Sequence, residues 1–121
     1  MPDFSPLFKP GEAITRTTSA AVTGGQVLIV SGSNTVAPAS AASVAVVGVA
    51  AFDAASGESV TVISDGVVNL GATGAISAGG AVAGATGGTV AAHSGTNYST
   101  IVGVALSDAA NDKVLVKLRI S

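Results

Sequence analysis

The sequence predicts an all-β protein: a small β-barrel or sandwich of short strands, built from a tandem repeat of about 55 residues, with an extended N-terminal arm. A repeat carries the first part of this. Residues 47–55 read V-G-V-A-A-F-D-A-A and residues 102–110 read V-G-V-A-L-S-D-A-A, so Gly103 follows Gly48, and Asp108 follows Asp53, by 55 positions. The same spacing lays Gly24-Gly25 and Val27 over Gly79-Gly80 and Val82. Periodicity carries the second part: no stretch of adequate length spaces its apolar residues as a helix would. Composition carries the third. The apolar share is 48%, supplied by Val and Ala with 16 Gly among them and no Trp. Such side chains fill a thin sheet core better than a deep helical one.

The arm is residues 1–16, and residues 17–121 are one β domain with copies at roughly 17–70 and 71–121. Residues 1–11 hold three of the four prolines (Pro2, Pro6, Pro10) and two of the three phenylalanines (Phe4, Phe8). Proline fixes φ and holds its predecessor extended, which makes an arm rather than a helix or an internal strand. The plain alternative is a mobile tail, as terminal residues often form. Leaving Phe4 and Phe8 in water forfeits about 1.5–3 kcal/mol each, so the arm is expected to dock them on something.

Residues 13–21 are small and β-branched (Ile14, Thr15, Thr17, Thr18), which suits a strand or sheet edge. Gly24-Gly25 turns the chain into a buried-type strand at 26–30, and residues 31–43, with Gly32, Asn34 and Pro38, read as loop. A strand at 44–50 and a turn at 53–57 follow. Residues 59–63 alternate well, and Asp65-Gly66 before residues 66–70 predicts a hairpin, since that pair supplies the φ > 0 a tight turn needs. Strands are also expected at 81–83, 89–92 and 101–105. After a turn at Asn111-Asp112, residues 113–120 alternate strictly, with Val114, Val116, Leu118 and Ile120 on one face and Lys113, Leu115, Lys117 and Arg119 on the other.

Charge narrows the function classes. Charged residues are 10% of the chain and the net charge is −2, which gives no electrostatic reason to expect nucleic acid as a partner. A surface this poor in charge is hard to keep dispersed and favours burial against other subunits. The longest weakly apolar stretch, residues 37–52, is cut by Pro38, Ser40, Ser43 and Gly48, short of the roughly 20 apolar residues of a bilayer span. The N-terminus has Pro2, Asp3 and Pro6 where a signal peptide has its basic and apolar regions. A protein without a membrane partner is expected.

Catalytic and cofactor signatures do not emerge. The one histidine, His93, stands beside Ser94 with no nearby carboxylate or oxyanion hole in the pattern, so a surface loop residue is the better reading than a nucleophile's base. One His and scattered acids give no metal-ligand spacing. The glycines at 71–88 lack both the lysine of a P-loop and the strand and helix of a dinucleotide site, and are read as turns and close strand contacts. Asn97-Tyr98-Ser99 matches a glycosylation sequon without a secretory context. No cofactor, metal or enzyme activity is expected. The basic face of the last strand, Lys113, Lys117 and Arg119, is either a solvated guard on an edge or a contact for an acidic partner surface.

Taken in order, several short segments resemble the capsid decoration, or cement, proteins of tailed bacteriophages. They are F-K-P-G at 8–11 with Glu12-Ala13-Ile14-Thr15, the A-V-x-x-G-x-V run at 21–27, V-G-V-A-x-x-D-A-A-x-G-E at 47–58, Asp65-Gly66-Val67, the Ala78-Gly79-Gly80 turn, and the closing V-G-V-A with its basic strand. The resemblance implies a compact β domain, made in the bacterial host cytoplasm, that binds the outer surface of the head. There it would act as a homotrimer, bridging neighbouring major capsid proteins. An arm that orders on the capsid is part of that picture, and here it would use Phe4, Pro6, Leu7, Phe8, Lys9, Pro10 and Arg16. The competing expectation is a stand-alone adhesive or carbohydrate-binding β module, although the chain has no Trp and a single Tyr to serve as the platforms on which sugars stack.

Overall fold

The computed structural model describes residues 14–94 and 98–119. Ten short strands make up the described chain: β1 Ile14–Thr18, β2 Val27–Gly32, β3 Thr35–Pro38, β4 Val46–Ala50, β5 Ser59–Ile63, β6 Val67–Gly71, β7 Ala81–Gly84, β8 Val90–Ala92, β9 Ile101–Ala105 and β10 Lys113–Leu118. The first five close into a barrel of order β1-β3-β2-β4-β5, in which β1 runs parallel to β3 and antiparallel to β5. The last five form a sheet of order β6-β10-β9-β7-β8. These are one topology written twice. The contact that closes the barrel, β1 on β3, has its counterpart in a single parallel bridge between Ala72 and Val90. The second sheet is therefore a barrel drawn almost shut.

Paired residues fix the register of the repeat. Leu28 opposite Pro38 corresponds to Val82 opposite Ala92, and Arg16 opposite Val60 to Leu70 opposite Val114, all at an offset of 54. Val49 and Ala50 correspond to Val104 and Ala105, at 55. The uniform spacing of 55 is thus corrected. Gly24-Gly25 corresponds to Ala78-Gly79, and Val27 to Ala81, because Gly25 and Gly79 donate their N–H groups to the equivalent carbonyls of Ala50 and Ala105. Loops absorb the slip. The β3-to-β4 link has seven residues (39–45) against eight (93–100) from β8 to β9, and the next link compensates with eight (51–58) against seven (106–112).

Val22, Leu28, Val36, Ala50, Ala54, Val60 and Val62 fill the first barrel. Their counterparts fill the second, where Ile76, Val82, Val90, Ala105, Val114 and Val116 join a larger cluster with Leu70 and Val102. That cluster also takes in Val27, Ala39 and Val49 from the outer side of the first barrel, so it welds the two units while the first barrel keeps its own interior cluster. The glycine of each V-G-V-A strand has a steric reason. A Cβ on Gly48 would stand 2.5 Å from the Ile63 carbonyl oxygen, and one on Gly103 would strike the Lys117 carbonyl, the equivalent atom. β4 and β9 press so closely on β5 and β10 that only glycine fits.

Three expectations are revised. Asp65-Gly66 is a turn, with Gly66 at φ 100°, but it does not make a hairpin. Both edges of β5 are taken by β1 and β4, so β6 leaves for the second unit and pairs with β10. Residues 31–43 contain β3; Pro38 sits at its last position, where a missing N–H is tolerated. Ile14, Thr15 and Arg16, given to the arm, are strand residues of β1. Their alternation sets Ile14, Arg16 and Thr18 on the more buried side. Ile120 lies outside the described residues.

Candidate docking surfaces

The last strand delivers its two faces as the alternation demands. Val114, Val116 and Leu118 are buried, while Lys113, Leu115, Lys117 and the following Arg119 are exposed. Arg119 continues the strand geometry by donating its backbone N–H to the Val102 carbonyl at 2.8 Å. Apolar side chains share this surface. Leu115 is 40% exposed, Val67, paired with Lys117, is 53% exposed, and Leu106 is 47% exposed with its N–H on the Leu115 carbonyl. The three cations and three apolar groups form one mixed face over β6 and β10, which the sequence foresaw only for the strand itself.

A second surface was not foreseen. At one mouth of the first barrel a cavity of about 160 Å³ is lined by Arg16, Val30, Asn34, Thr35, Val36 and Val47. These residues come from β1, β2, β3, β4 and the β2–β3 turn, so no local pattern announces the site. Arg16 is half-buried, and its Nη1 donates to the Thr15 carbonyl at 3.1 Å. Its counterpart Leu70 is fully buried and plugs the second barrel from inside. The remaining arm residues assigned to capsid binding, Phe4, Pro6, Leu7, Phe8, Lys9 and Pro10, lie outside the described residues.

The joint between the barrels forms a third feature, a cleft of about 250 Å³ whose walls include Gln26, Asn69, Gly88 and Lys113. Gln26 Nε2 donates to the Gly87 carbonyl at 3.0 Å across it, and Gly88 N–H donates to the Ala39 carbonyl at 2.8 Å. The glycines at 74, 79, 87 and 88 have positive φ, which is what makes them turns.

His93 is half-buried, with its ring centroid 5.8 Å from that of Tyr98, which makes it a packing residue on a loop. Among the described residues no three His, Cys, Asp or Glu side chains gather as metal ligands, and no helix is long and apolar enough to cross a membrane.

The motif V-G-V-A-x-x-D-A-A-x-G-E resolves into structural bonds. Asp53 Oδ1 accepts from Gly24 N–H at 2.8 Å, Glu58 Oε1 accepts from Ala55 N–H at 2.8 Å, and Gly57 turns at φ 86°. The buried Thr18 hydroxyl reaches the Ala55 and Glu58 carbonyls at 2.7 and 3.1 Å, lacing this turn to β1. These residues hold a scaffold together.

Comparison with known proteins agrees with that geometry. The fold is similar to that of the N-terminal base of the head fiber protein gp8.5 of bacteriophage phi29, with a TM-score of 0.71 and 18% identity over 89% of this chain and 93% of that one. No curated protein matches. The sequence profile of the phage cement protein family matches residues 8–120, nearly the whole length. This chain belongs to the phage cement protein family, and it is a structural protein of the phage head.

Proposed function

We propose that this protein clamps the outer surface of the phage head as a homotrimer, bridging neighbouring major capsid proteins. The observation that carries the reading is the mixed face of β6 and β10, where Lys113, Lys117 and Arg119 surround the exposed Leu115, Val67 and Leu106 in a chain with only 10% charged residues. Exposed apolar groups with a cationic rim suit an acidic protein surface: the apolar centre supplies affinity, and the charges supply orientation and encounter rate. The described chain offers turns, barrels and an exposed face of mixed apolar and basic side chains, which suits a clamp better than a catalyst. The phi29 protein with a similar fold is the base of a head fiber. The arm, through Phe4, Pro6, Leu7, Phe8, Lys9 and Pro10, adds a second grip, and its prolines lower the entropy lost on ordering. Affinity is then summed over symmetric contacts.

Co-sedimentation with expanded capsids tests this. Lys113→Glu with Lys117→Glu is expected to weaken binding by about tenfold or more, on the scale of 1.4 kcal/mol per tenfold, and to flatten its salt dependence. Unchanged decoration by a folded double variant rejects the β10 face as the docking surface.

A further inference from the structure

We propose that a second copy of this chain caps the Arg16 mouth of the first barrel with the outer face of its second barrel, repeating between chains the joint that already exists within one. This rests on the self-association in the reading above.

The joint within the chain has two sides. One is the outer face of the first barrel, with Gln26, Val27, Ala39 and Val49; the other is the mouth of the second, with Gly84 and Gly88. A Cβ on Gly84 would lie 3.3 Å from Ala39 Cβ and 3.7 Å from Val27 Cγ1, and one on Gly88 would lie 2.7 Å from Gln26 Cβ. Because the chain is a repeat, each side exists twice. The mouth recurs in the first barrel as Val30 and Asn34, which line the 160 Å³ cavity. The face recurs in the second barrel as Gly80, Ala81, His93 and Val104. These equivalences are fixed by matching bonds: Gln26 and Gly80 accept from Ala50 and Ala105 N–H, and Ala39 and His93 donate to the Val27 and Ala81 carbonyls. The used copies of the two sides are closed over, and the spare copies are open. Gly84 and Gly88 are buried while Val30 and Asn34 are exposed; Val27 and Val49 are buried while Ala81 and Val104 are half-buried.

The spare surfaces are also sized for each other. Within the chain, large Gln26 rests on small Gly88, and large Val27 on small Gly84. At the spare joint both pairs reverse: small Gly80 would meet large Asn34, and small Ala81 would meet large Val30. Contact volume is conserved by opposite changes on the two sides, which is how a packed joint tolerates substitution. Backbone shape is kept as well, since Asn34 has φ 60° where Gly88 has φ 74°. At the remaining position His93 replaces Ala39, with its ring laid on Tyr98. The contact joins unlike surfaces, so it is heterologous and closes into a ring when its rotation allows. Three chains would then present six barrels.

Light scattering of the free, full-length protein reads this without capsids, so its outcome is separate from that of the capsid-binding test. The wild type is expected at the mass of three chains. Gly80→Gln, which places a side chain against Asn34, is expected to lose that mass, and Gly80→Gln with Asn34→Gly to regain it by rebuilding the Gln26–Gly88 pair. Gln26 already occupies the same turn, with its N–H on Thr23 as that of Gly80 is on Ser77, both at 3.1 Å, so the substituted chain should fold, as circular dichroism would report. In a second arm, mixed Val30→Cys and Ala81→Cys chains, each with one thiol because the native chain has none, should oxidise to a cross-linked pair. A monomeric wild type, a mass indifferent to Gly80→Gln, or a Val30→Cys and Ala81→Cys yield no higher than that of a Ser56→Cys control would each overturn the proposal. The same results would follow if residues 1–13 of the same chain filled the mouth.

Discussion

Asp53 and Gly24, 29 residues apart, are tied by a 2.8 Å hydrogen bond from the glycine N–H to the carboxylate, and Asp108 makes the same 2.8 Å bond to Ala78. Each bond fastens the turn after the V-G-V-A strand to the turn before β2 or β7, one clasp per barrel. Both groups are exposed, so a freed N–H finds water, and each loss should be modest: Asp53→Ala or Asp108→Ala is expected to cost about 1 kcal/mol in urea unfolding. Because the clasps sit in separate barrels, the double variant should cost the sum to within about 0.5 kcal/mol. A marked departure from additivity would mean that the barrels communicate through these turns.

The two Asp residues and the two V-G-V-A strands were legible because short-range patterns encode them. Gly48 and Gly103 announce a close approach, and the alternation of residues 113–119 announces which side of β10 is wet. What was not legible has physical reasons. Pro38 masked β3, since a proline at a strand end and one in a loop look alike in sequence. The Asp65-Gly66 turn was right, but its meaning depends on β5 having no free edge, which is a long-range fact. The one-residue slip of the repeat lies in loops that carry no pattern. The Arg16 mouth draws on four strands and a turn, and its residues read separately in sequence, Arg16 in the arm, Asn34 in a loop and Val47 in the repeated V-G-V-A, with no pattern to bring them together.

Gly48 should be among the least replaceable residues. Its Cβ would meet both the Ile63 carbonyl and Val62 Cγ1 at 2.5 Å, and backbone cannot step aside as a flexible side chain can. Gly48→Ala is expected to cost about 3 kcal/mol, and Gly103→Ala a similar amount. Gly25 has φ 90° and open space around its would-be Cβ, so Gly25→Ala costs only the left-handed strain, about 1–2 kcal/mol. Denaturant midpoints of the three variants would separate steric crowding from backbone strain.

Arg16 and Leu70 occupy equivalent places, one facing a cavity and the other filling a core. Arg16→Leu, making the first barrel resemble the second, should raise stability by about 1 kcal/mol, because apolar area would cover the mouth. The reverse change is not symmetric: Leu70→Arg sets an unpaired cation in a closed core and is expected to cost about 3–5 kcal/mol. Thermal unfolding of both variants checks the pair. A stabilising Arg16→Leu that also weakens self-association or capsid binding would indicate that the arginine is kept for contact rather than for the fold.

Truncation separates the arm from the barrel. β1 starts at Ile14 and is the strand that closes the first barrel, bonded to β3 on one side and β5 on the other, and its Thr18 hydroxyl laces the turn that ends at Glu58. Removing residues 1–10 spares all of these bonds, so the melting temperature is expected to stay close to that of the full chain while capsid binding falls sharply. Removing residues 1–18 opens the barrel along two edges and exposes Leu28, Val36 and Val60, which are otherwise fully buried, so that chain should aggregate or unfold near room temperature. If the shorter truncation decorates heads as well as the full chain does, the grip lies in the β10 face alone, and the aromatic residues Phe4 and Phe8 serve some other contact.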